Sequence, residues 1–485
     1  MTQRSTLQVL TSPAAICLML LAASLIKFWA WTPTAFFGDD LNAYLKFVDG
    51  PLSTLERAVF DHWAQKHRPV VHVLYWAMFK AFNDEYQLHI AVCYAIHVAC
   101  AFVFYQIALE LSGRRVLVAL AAALLFATVR FAYFDLILIG LVESVALFFF
   151  LLAMKVSLRL YDEAADVPHP VATAMLVVLL CALAMFSHER YIAAAPWTVA
   201  VIFLAPRLGQ LGIVRRGALA LAVLLPVALN IGYKMFFVGR GTLVGTGGKA
   251  LGIDFALIAQ NIREGIPSLF GINSGHPFWV GHVVNSVRDP ALWFSLVFIL
   301  GFLAVTASVA MSWRSHSQHK RVWVLLLVPL AGLMLVPPLM TVPFQPRWLF
   351  LQSGILFLIL AWVYGEAVVQ RRPLVWAMIA VCFAAYFAAD LVISRDYRTM
   401  YLVNLTRMTG ALAKLAPSLP PGRVDTIGAQ NSWATLRGQF FKVYGGEARE
   451  MGYYATKELW LADPAANDTA WQYDDATASF TEVRR

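Results

Sequence analysis

The sequence predicts an all-α polytopic membrane protein of about eleven transmembrane helices, with interfacial helices in the first outer loop and a small C-terminal α/β extracytoplasmic appendage. Three observations predict it. The 485 residues are 60% hydrophobic and 14% charged, with a mean hydropathy of +0.65. A water-soluble fold has no interior large enough for that much apolar surface. The apolar residues fall in uncharged runs long enough to cross a hydrocarbon core. Fifteen tryptophans and 13% aromatic residues suit a chain with many membrane–water boundaries.

The spans are expected near 14–32, 86–111, 116–133, 136–158, 171–187, 191–206, 217–237, 291–312, 322–341, 348–367 and 373–394. The first could be mistaken for a signal peptide, because LAAS at 21–24 offers small residues for cleavage. Its only early charge is Arg4 and its apolar run continues to Trp31, so an uncleaved span is the better reading. Basic connectors lie at 113–115, 206–216, 313–321 and 370–372. A cytoplasmic N-terminus puts all of them on the cytoplasmic side, as the positive-inside rule requires. The loop after the first span and the C-terminus then lie outside.

Residues 1–394 form the expected transmembrane domain, and 395–485 a small extracytoplasmic region. The first outer loop, 33–85, carries Lys46, Arg57, Lys66, Arg68 and Lys80, against the usual charge bias. Within it RPVVHVLYWAMFKAF (68–82) has helical apolar spacing but is too short to span, and reads as an interfacial helix. The second outer loop, 238–290, includes a helical patch at IAQNIREGI. From Arg395 onward, eleven basic residues nearly balance ten acidic ones. That tail opens with the amphipathic YLVNLTRMTGALAKLA and breaks at PSLPPG before its mixed α/β portion.

The net charge of +9 sits largely in connectors that set topology, and no nucleic-acid partner is expected. Cys17, Cys93, Cys100, Cys181 and Cys382 all fall inside predicted spans and read as free core thiols. VGTGGKA (244–250) is not a nucleotide loop, since Leu243 and Ala250 occupy positions that need Gly and Ser/Thr. His62, His67 and His72 lack compact ligand spacing, so no metal site is expected from them.

Four stretches carry chemistry. FFGDDLNAYLKF (36–47) places Asp39 and Asp40 directly after the first span. A partly desolvated carboxylate beside a second one gains proton affinity and can act as a general base. The plain alternative is a hydrated pair after a helix. QPRWLFLQSG (345–354) opens a late span with Arg347, whose guanidinium fork suits phosphate; a snorkelling anchor is the alternative. SHERY (187–191) puts His188 and Glu189 at an outer helix end, with Ile192 where a zinc motif needs its second His. There the alternative is an interfacial salt bridge. Glu143, in LIGLVESVAL, lies close to or inside the fourth span, and an intramembrane carboxylate is a functional candidate by default. An interhelical hydrogen bond is its structural alternative.

The ordered set resembles the GT-C superfamily of glycosyltransferases, particularly its protein O-mannosyltransferase-like branches. An acidic pair follows the first span, then RPVVHVLYWAMF, then YQLHIAVCYAIH, IGLVESVALFFFLLA, SHERYIAAAPW and PRWLFLQSG. The resemblance runs over residues 14–370. Where the family often carries Lys-Glu and Arg-Tyr pairs, this chain has His188–Glu189 and Arg347–Trp348, and no TPR repeats follow.

The resemblance implies transfer of a sugar, with inversion, from a polyprenyl-phosphate donor to an acceptor hydroxyl on the extracytoplasmic face. A first-loop Asp, Asp39 or Asp40, would be the base, with Asp39 preferred. Arg347, with Arg68 and Lys66, would hold the phosphate, and His67, Glu143, His188 and Glu189 are further site candidates. The partners implied are membrane lipid, the lipid-linked donor and a hydroxyl acceptor on glycan, lipid or protein. No nucleotide or organic cofactor is implied, and a divalent cation is left open. The expected location is a bacterial inner membrane with the site on its periplasmic side. Competing readings are a polymerase or ligase of lipid-linked sugars, and a lipid or sugar flippase. A flippase would place broken, charged helices at mid-membrane in related halves.

Overall fold

Residues 12–29, 32–62, 66–133, 136, 139, 141–162, 167–238, 254–272, 284, 286–311, 318–339, 346–369, 373–397, 403–429 and 434–485 are described by a computed structural model. The VGTGGKA loop and Arg4 lie outside the described residues.

The chain begins with α1 (Pro13–Phe28), whose Ser12 side chain caps the Ala15 amide ahead of Pro13. The segment after α1 supplies three short helices, α2 (Gly38–Phe47), α3 (Leu55–Phe60) and α4 (Pro69–Phe82). At 14 residues α4 is a helix where the 68–82 stretch was expected to form one too short to span. Then come α5 (Tyr86–Leu111), α6 (Val116–Thr128), α7 (Leu141–Arg159) and α8 (Pro170–Ser187). The middle of the chain gives α9 (Ala195–Leu204), α10 (Ile213–Leu221), α11 (Leu224–Tyr233) and α12 (Phe255–Leu269). Four long helices follow: α13 (Pro290–Met311), α14 (Gln318–Leu339), α15 (Phe350–Val369) and α16 (Pro373–Tyr397).

Among the described residues seven helical segments are long and apolar enough to cross a membrane, and α1 and α6 are shorter apolar helices. The expected 191–206 span is instead a 3-10 turn, Glu189–Ala194, followed by the ten-residue α9. Pro196 at the start of α9 and Pro206 behind it explain the short length, because neither can donate to a continuing helix. The 116–133 run likewise ends as a helix at Thr128 and continues as a 3-10 turn, Arg130–Tyr133.

The core of the bundle forms where α15 packs against α5 and α6. Phe104, Phe126 and Phe350 stack there at centroid distances of 4.3 and 4.7 Å. Gly354 permits that stack, since a Cβ on it would stand 3.0 Å from the Phe126 ring. Many of the apolar residues left exposed, among them Val214, Leu225, Phe236 and Leu300, lie on the helical segments long and apolar enough to cross a membrane, as lipid-facing surface does.

After α17 (Val403–Leu415) the chain forms a four-stranded sheet of β1 (Val424–Ile427), β2 (Met451–Tyr454), β3 (Thr469–Asp474) and β4 (Ser479–Arg484). The strand order is β2-β1-β3-β4, with β1 parallel to both neighbours and β4 antiparallel to β3. Two short helices, α18 (Phe440–Tyr444) and α19 (Lys457–Ala462), complete it. This is the α/β portion expected of the tail, and it packs onto α2 through the turn at Leu436–Gly438.

Candidate functional site

Asp39 and Asp40 stand in the first turn of α2, where the helix dipole favours carboxylates. The chain reaches that turn through Phe37 in extended conformation and Gly38 at φ +53°, a left-handed geometry that suits glycine. The two carboxylates then part. Asp40 is buried, and both of its oxygens accept the Ile139 N–H at 2.9 Å. Its Oδ2 also accepts the Tyr86 hydroxyl at 2.7 Å. Burial pushes its carboxyl up to about 8, outweighing the hydrogen bonds from Tyr86 and Ile139 that favour the charged form. Asp39 is exposed.

A second cluster assembles from helix ends. Pro69 bars the residue before it from the α region, so Arg68 sits in a non-helical conformation at the start of α4. From there it donates to Glu189 with both Nε (2.7 Å) and Nη2 (2.8 Å). Lys66 Nζ lies 3.8 Å from the same carboxylate. Burial of Lys66, assisted by Arg68, lowers its ammonium to about 8. For Glu189, burial works against ionisation, yet the pull of Arg68, His188 and Lys66 holds it well below the usual carboxylate range.

His188 follows α8 in extended backbone and caps the next 3-10 turn, its Nδ1 accepting the Arg190 N–H at 3.1 Å. Nδ1 is therefore the unprotonated nitrogen, and Nε2 donates to Glu143 Oε1 at 3.1 Å. Burial lowers His188 to about 4, against the opposing pull of Glu143. Glu143, in the first turn of α7, is also paired with Arg190.

Arg347 joins the two clusters. It lies in the 3-10 turn Pro346–Leu349 that opens α15, and it interacts electrostatically with Glu143, Tyr133, Arg190 and Asp39. Tyr75 bridges as well. Its hydroxyl donates to the Ile139 carbonyl, beside the amide that holds Asp40, and it interacts with Asp39, Asp40 and Arg68. Lys234, at the end of the α10–α11 segment, adds a further cation near Glu189 and Arg68.

Direct pairs and electrostatic interactions thus link Lys66, Arg68, Glu143, His188, Glu189, Arg347 and Asp39, and Tyr75 joins Asp40 to them. His67 stacks its ring on Tyr233 at 3.9 Å and interacts with Lys234. Glu143 and Glu189 are both engaged by cations, and with His188 neutral the cluster keeps an excess of positive charge.

Arg190, Tyr86 and Lys234 were not singled out in the sequence. Arg190 had a signal, since it lies within SHERY and an intramembrane Glu143 needs a cationic partner. Among the described residues, no group of three His, Cys, Asp or Glu is placed to hold a metal ion. Exposed carboxylate, buried carboxylate and surplus cations together can accept a proton and hold an anion side by side.

No family model matches the chain, and no curated protein matches it. It is similar to the oligosaccharyltransferase of Archaeoglobus fulgidus in complex with zinc and sulfate, with a TM-score of 0.48 and 14% identity over 92% of this chain and 62% of that one. AglB of the same organism, in complex with an inhibitory peptide and a dolichol-phosphate, gives a TM-score of 0.48 and 13% identity over 91% of this chain and 64% of that one. ArnT from Cupriavidus metallidurans in the apo state gives 0.47 and 13%, over 95% of this chain and 93% of ArnT. The chain therefore spans less than two thirds of those oligosaccharyltransferases and nearly the whole length of ArnT. The likeness is one of fold.

Proposed function

We propose that the protein is a membrane glycosyltransferase that moves a sugar from a polyprenyl-phosphate-linked donor to an acceptor hydroxyl at the extracytoplasmic membrane surface. The observation that supports this reading is that Arg347 interacts electrostatically with Glu143 and Arg190, which are paired with each other, and also with Asp39. A proton acceptor and an anion-binding group then share one site.

In this reading Asp39 takes the proton of the acceptor hydroxyl. The acceptor oxygen forms a bond to the anomeric carbon as the bond from that carbon to the donor's phosphate oxygen breaks. The electron pair leaves with the lipid phosphate, and attack opposite the leaving group inverts the centre. Arg347, with Lys66 and Arg68 beside it, neutralises the charge that develops on that phosphate. Asp40 does not share the base role, because the Tyr86 and Ile139 donors already occupy its oxygens. It holds the turn on which Asp39 stands.

The test is sugar transfer by purified protein in lipid, with polyprenyl-phosphate sugars as donors and Asp39→Asn and Asp40→Asn measured in parallel. Transfer by the wild type, lost in Asp39→Asn while donor still binds, is the expected result. No donor binding by the wild type would overturn the reading, and a flux assay for flippase activity would then be the next measurement.

A further inference from the structure

The turn carrying Asp39 is held on its bundle side by the clamp on Asp40. Its opposite side is held by the C-terminal unit. The Phe36 N–H donates to the Tyr444 hydroxyl oxygen at 2.6 Å, across 408 residues of sequence. The Gly38 N–H donates to the Ala434 carbonyl at 2.9 Å. Gly410 of α17 packs so closely on Thr34 that a Cβ there would collide with the threonine hydroxyl. Thr34, Phe36 and Gly38 thus each meet the C-terminal unit. The segment leading into Asp39 is laid along that unit. Lys442 and Asp49 add an exposed pair at 3.6 Å, which contributes little by itself.

Resting on the reading of Asp39 as the base, we propose that Tyr444, with the Ala434 carbonyl, is a positioning residue for that base. The C-terminal unit fixes the Phe36–Gly38 backbone, and this fixes where the Asp39 carboxylate stands relative to the acceptor oxygen. Gly38 is already in the left-handed region, so the turn depends on external partners to stay in one geometry. Loss of either hydrogen bond leaves an amide without its acceptor and lets the turn relax. Donor contacts to Arg347, Arg68 and Lys66 arise from other elements and are unaffected. The contribution therefore falls on turnover and leaves donor affinity alone.

The experiment uses the full chain in lipid with Tyr444→Phe, which removes one hydroxyl and keeps the ring. Tyr454→Phe is the control. Its hydroxyl donates to Asp463 at 2.7 Å within the C-terminal unit and does not touch the turn. Hydrogen–deuterium exchange reads the turn independently of any activity. In Tyr444→Phe the peptide covering 32–45 should exchange faster while the β1 amides keep their protection. Its kcat should fall about tenfold or more with donor KM unchanged and a thermal midpoint no lower than that of Tyr454→Phe, and Tyr454→Phe should match the wild type in exchange at 32–45 and in kcat. Wild-type exchange at 32–45 in Tyr444→Phe would overturn the proposal. So would equal losses of rate and thermal midpoint in both variants, the mark of a purely structural role. Faster exchange at 32–45 in a protein whose wild type transfers no sugar would support the grip on the turn and overturn the glycosyltransferase reading instead.

Discussion

Asp40 and Asp39 are adjacent in sequence and opposite in environment: Asp40 is 3% exposed with its oxygens bound by Ile139 and Tyr86, while Asp39 is exposed. A pair of free bases would share its surroundings, whereas this pair divides into a clamp and a free carboxylate. Asp39→Asn should lower kcat by roughly a hundredfold or more, because it removes the proton acceptor, and leave the thermal midpoint in place. Asp40→Asn should instead lower the midpoint, since it exchanges an oxygen that can accept for an amide nitrogen that can only donate, facing the Ile139 and Tyr86 donors. Kinetics and thermal unfolding on both variants separate the roles. Unimpaired transfer by Asp39→Asn would sink the assignment.

The clamp predicts a pH dependence of stability. Burial raises Asp40 to about 8 from an ordinary 3.8. Below the ordinary value both folded and unfolded chains carry the proton, and the contribution is fully present. Between the two values the unfolded chain releases it while the folded chain retains it, so stability falls as pH rises. The loss levels off once pH passes through about 8 and the folded carboxyl ionises as well. Other groups titrate in the same range, so the informative quantity is the wild-type midpoint minus that of Asp40→Asn. That difference should decline steadily from pH 4 to pH 8; a flat difference would show that Asp40 is not held protonated.

Arg68 and Glu189 form a two-pronged pair whose side chains are only 12% and 17% exposed. Taking one partner from such a pair strands the other charge. Glu189→Gln should therefore destabilise the protein by about 3 kcal/mol, the lower end for a buried pair because some solvent reaches it. A denaturation series in detergent would check this. Wild-type stability in Glu189→Gln would mean that Lys66 and Arg68 are well solvated without their carboxylate.

Much of the architecture was legible because a bilayer demands long apolar runs, and such runs are visible one residue at a time. The short length of α4 and the placement of Asp39, His188, Glu189 and Arg347 at helix ends followed from the same reading. What was hidden is long-range. Asp40 meets Ile139 across 99 residues and Tyr86 across 46, and no local periodicity encodes either contact. Apolar composition also hid the ends of helices, since it does not separate a crossing from the short α9 bounded by prolines.

Three charges inside the bundle escaped the sequence reading altogether, and they support the last prediction. Asp390 on α16 accepts Lys27 Nζ at 2.7 Å through Oδ2. Its Oδ1 accepts both the backbone N–H of Arg130 at 3.1 Å and Nη1 of the same residue at 3.0 Å. Arg130 also donates to the Ser268 carbonyl at 2.9 Å. The cluster ties α1, α12 and α16 to the 3-10 turn that begins at Arg130, and that turn packs on the one carrying Arg347. All three side chains are 6% exposed or less, so the charges have little water to fall back on. Asp390→Asn leaves two cations facing a neutral amide and should cost about 3–5 kcal/mol. Lys27→Met alone leaves Asp390 still paired with Arg130 and should cost less. In the double variant one of the stranded cations is gone, so the combined loss should be smaller than the sum of the two single losses. A double-mutant cycle on thermal or denaturant unfolding measures that coupling. Strictly additive losses would show that Lys27 and Asp390 do not stabilise one another, and that the cluster is held together by Arg130 alone.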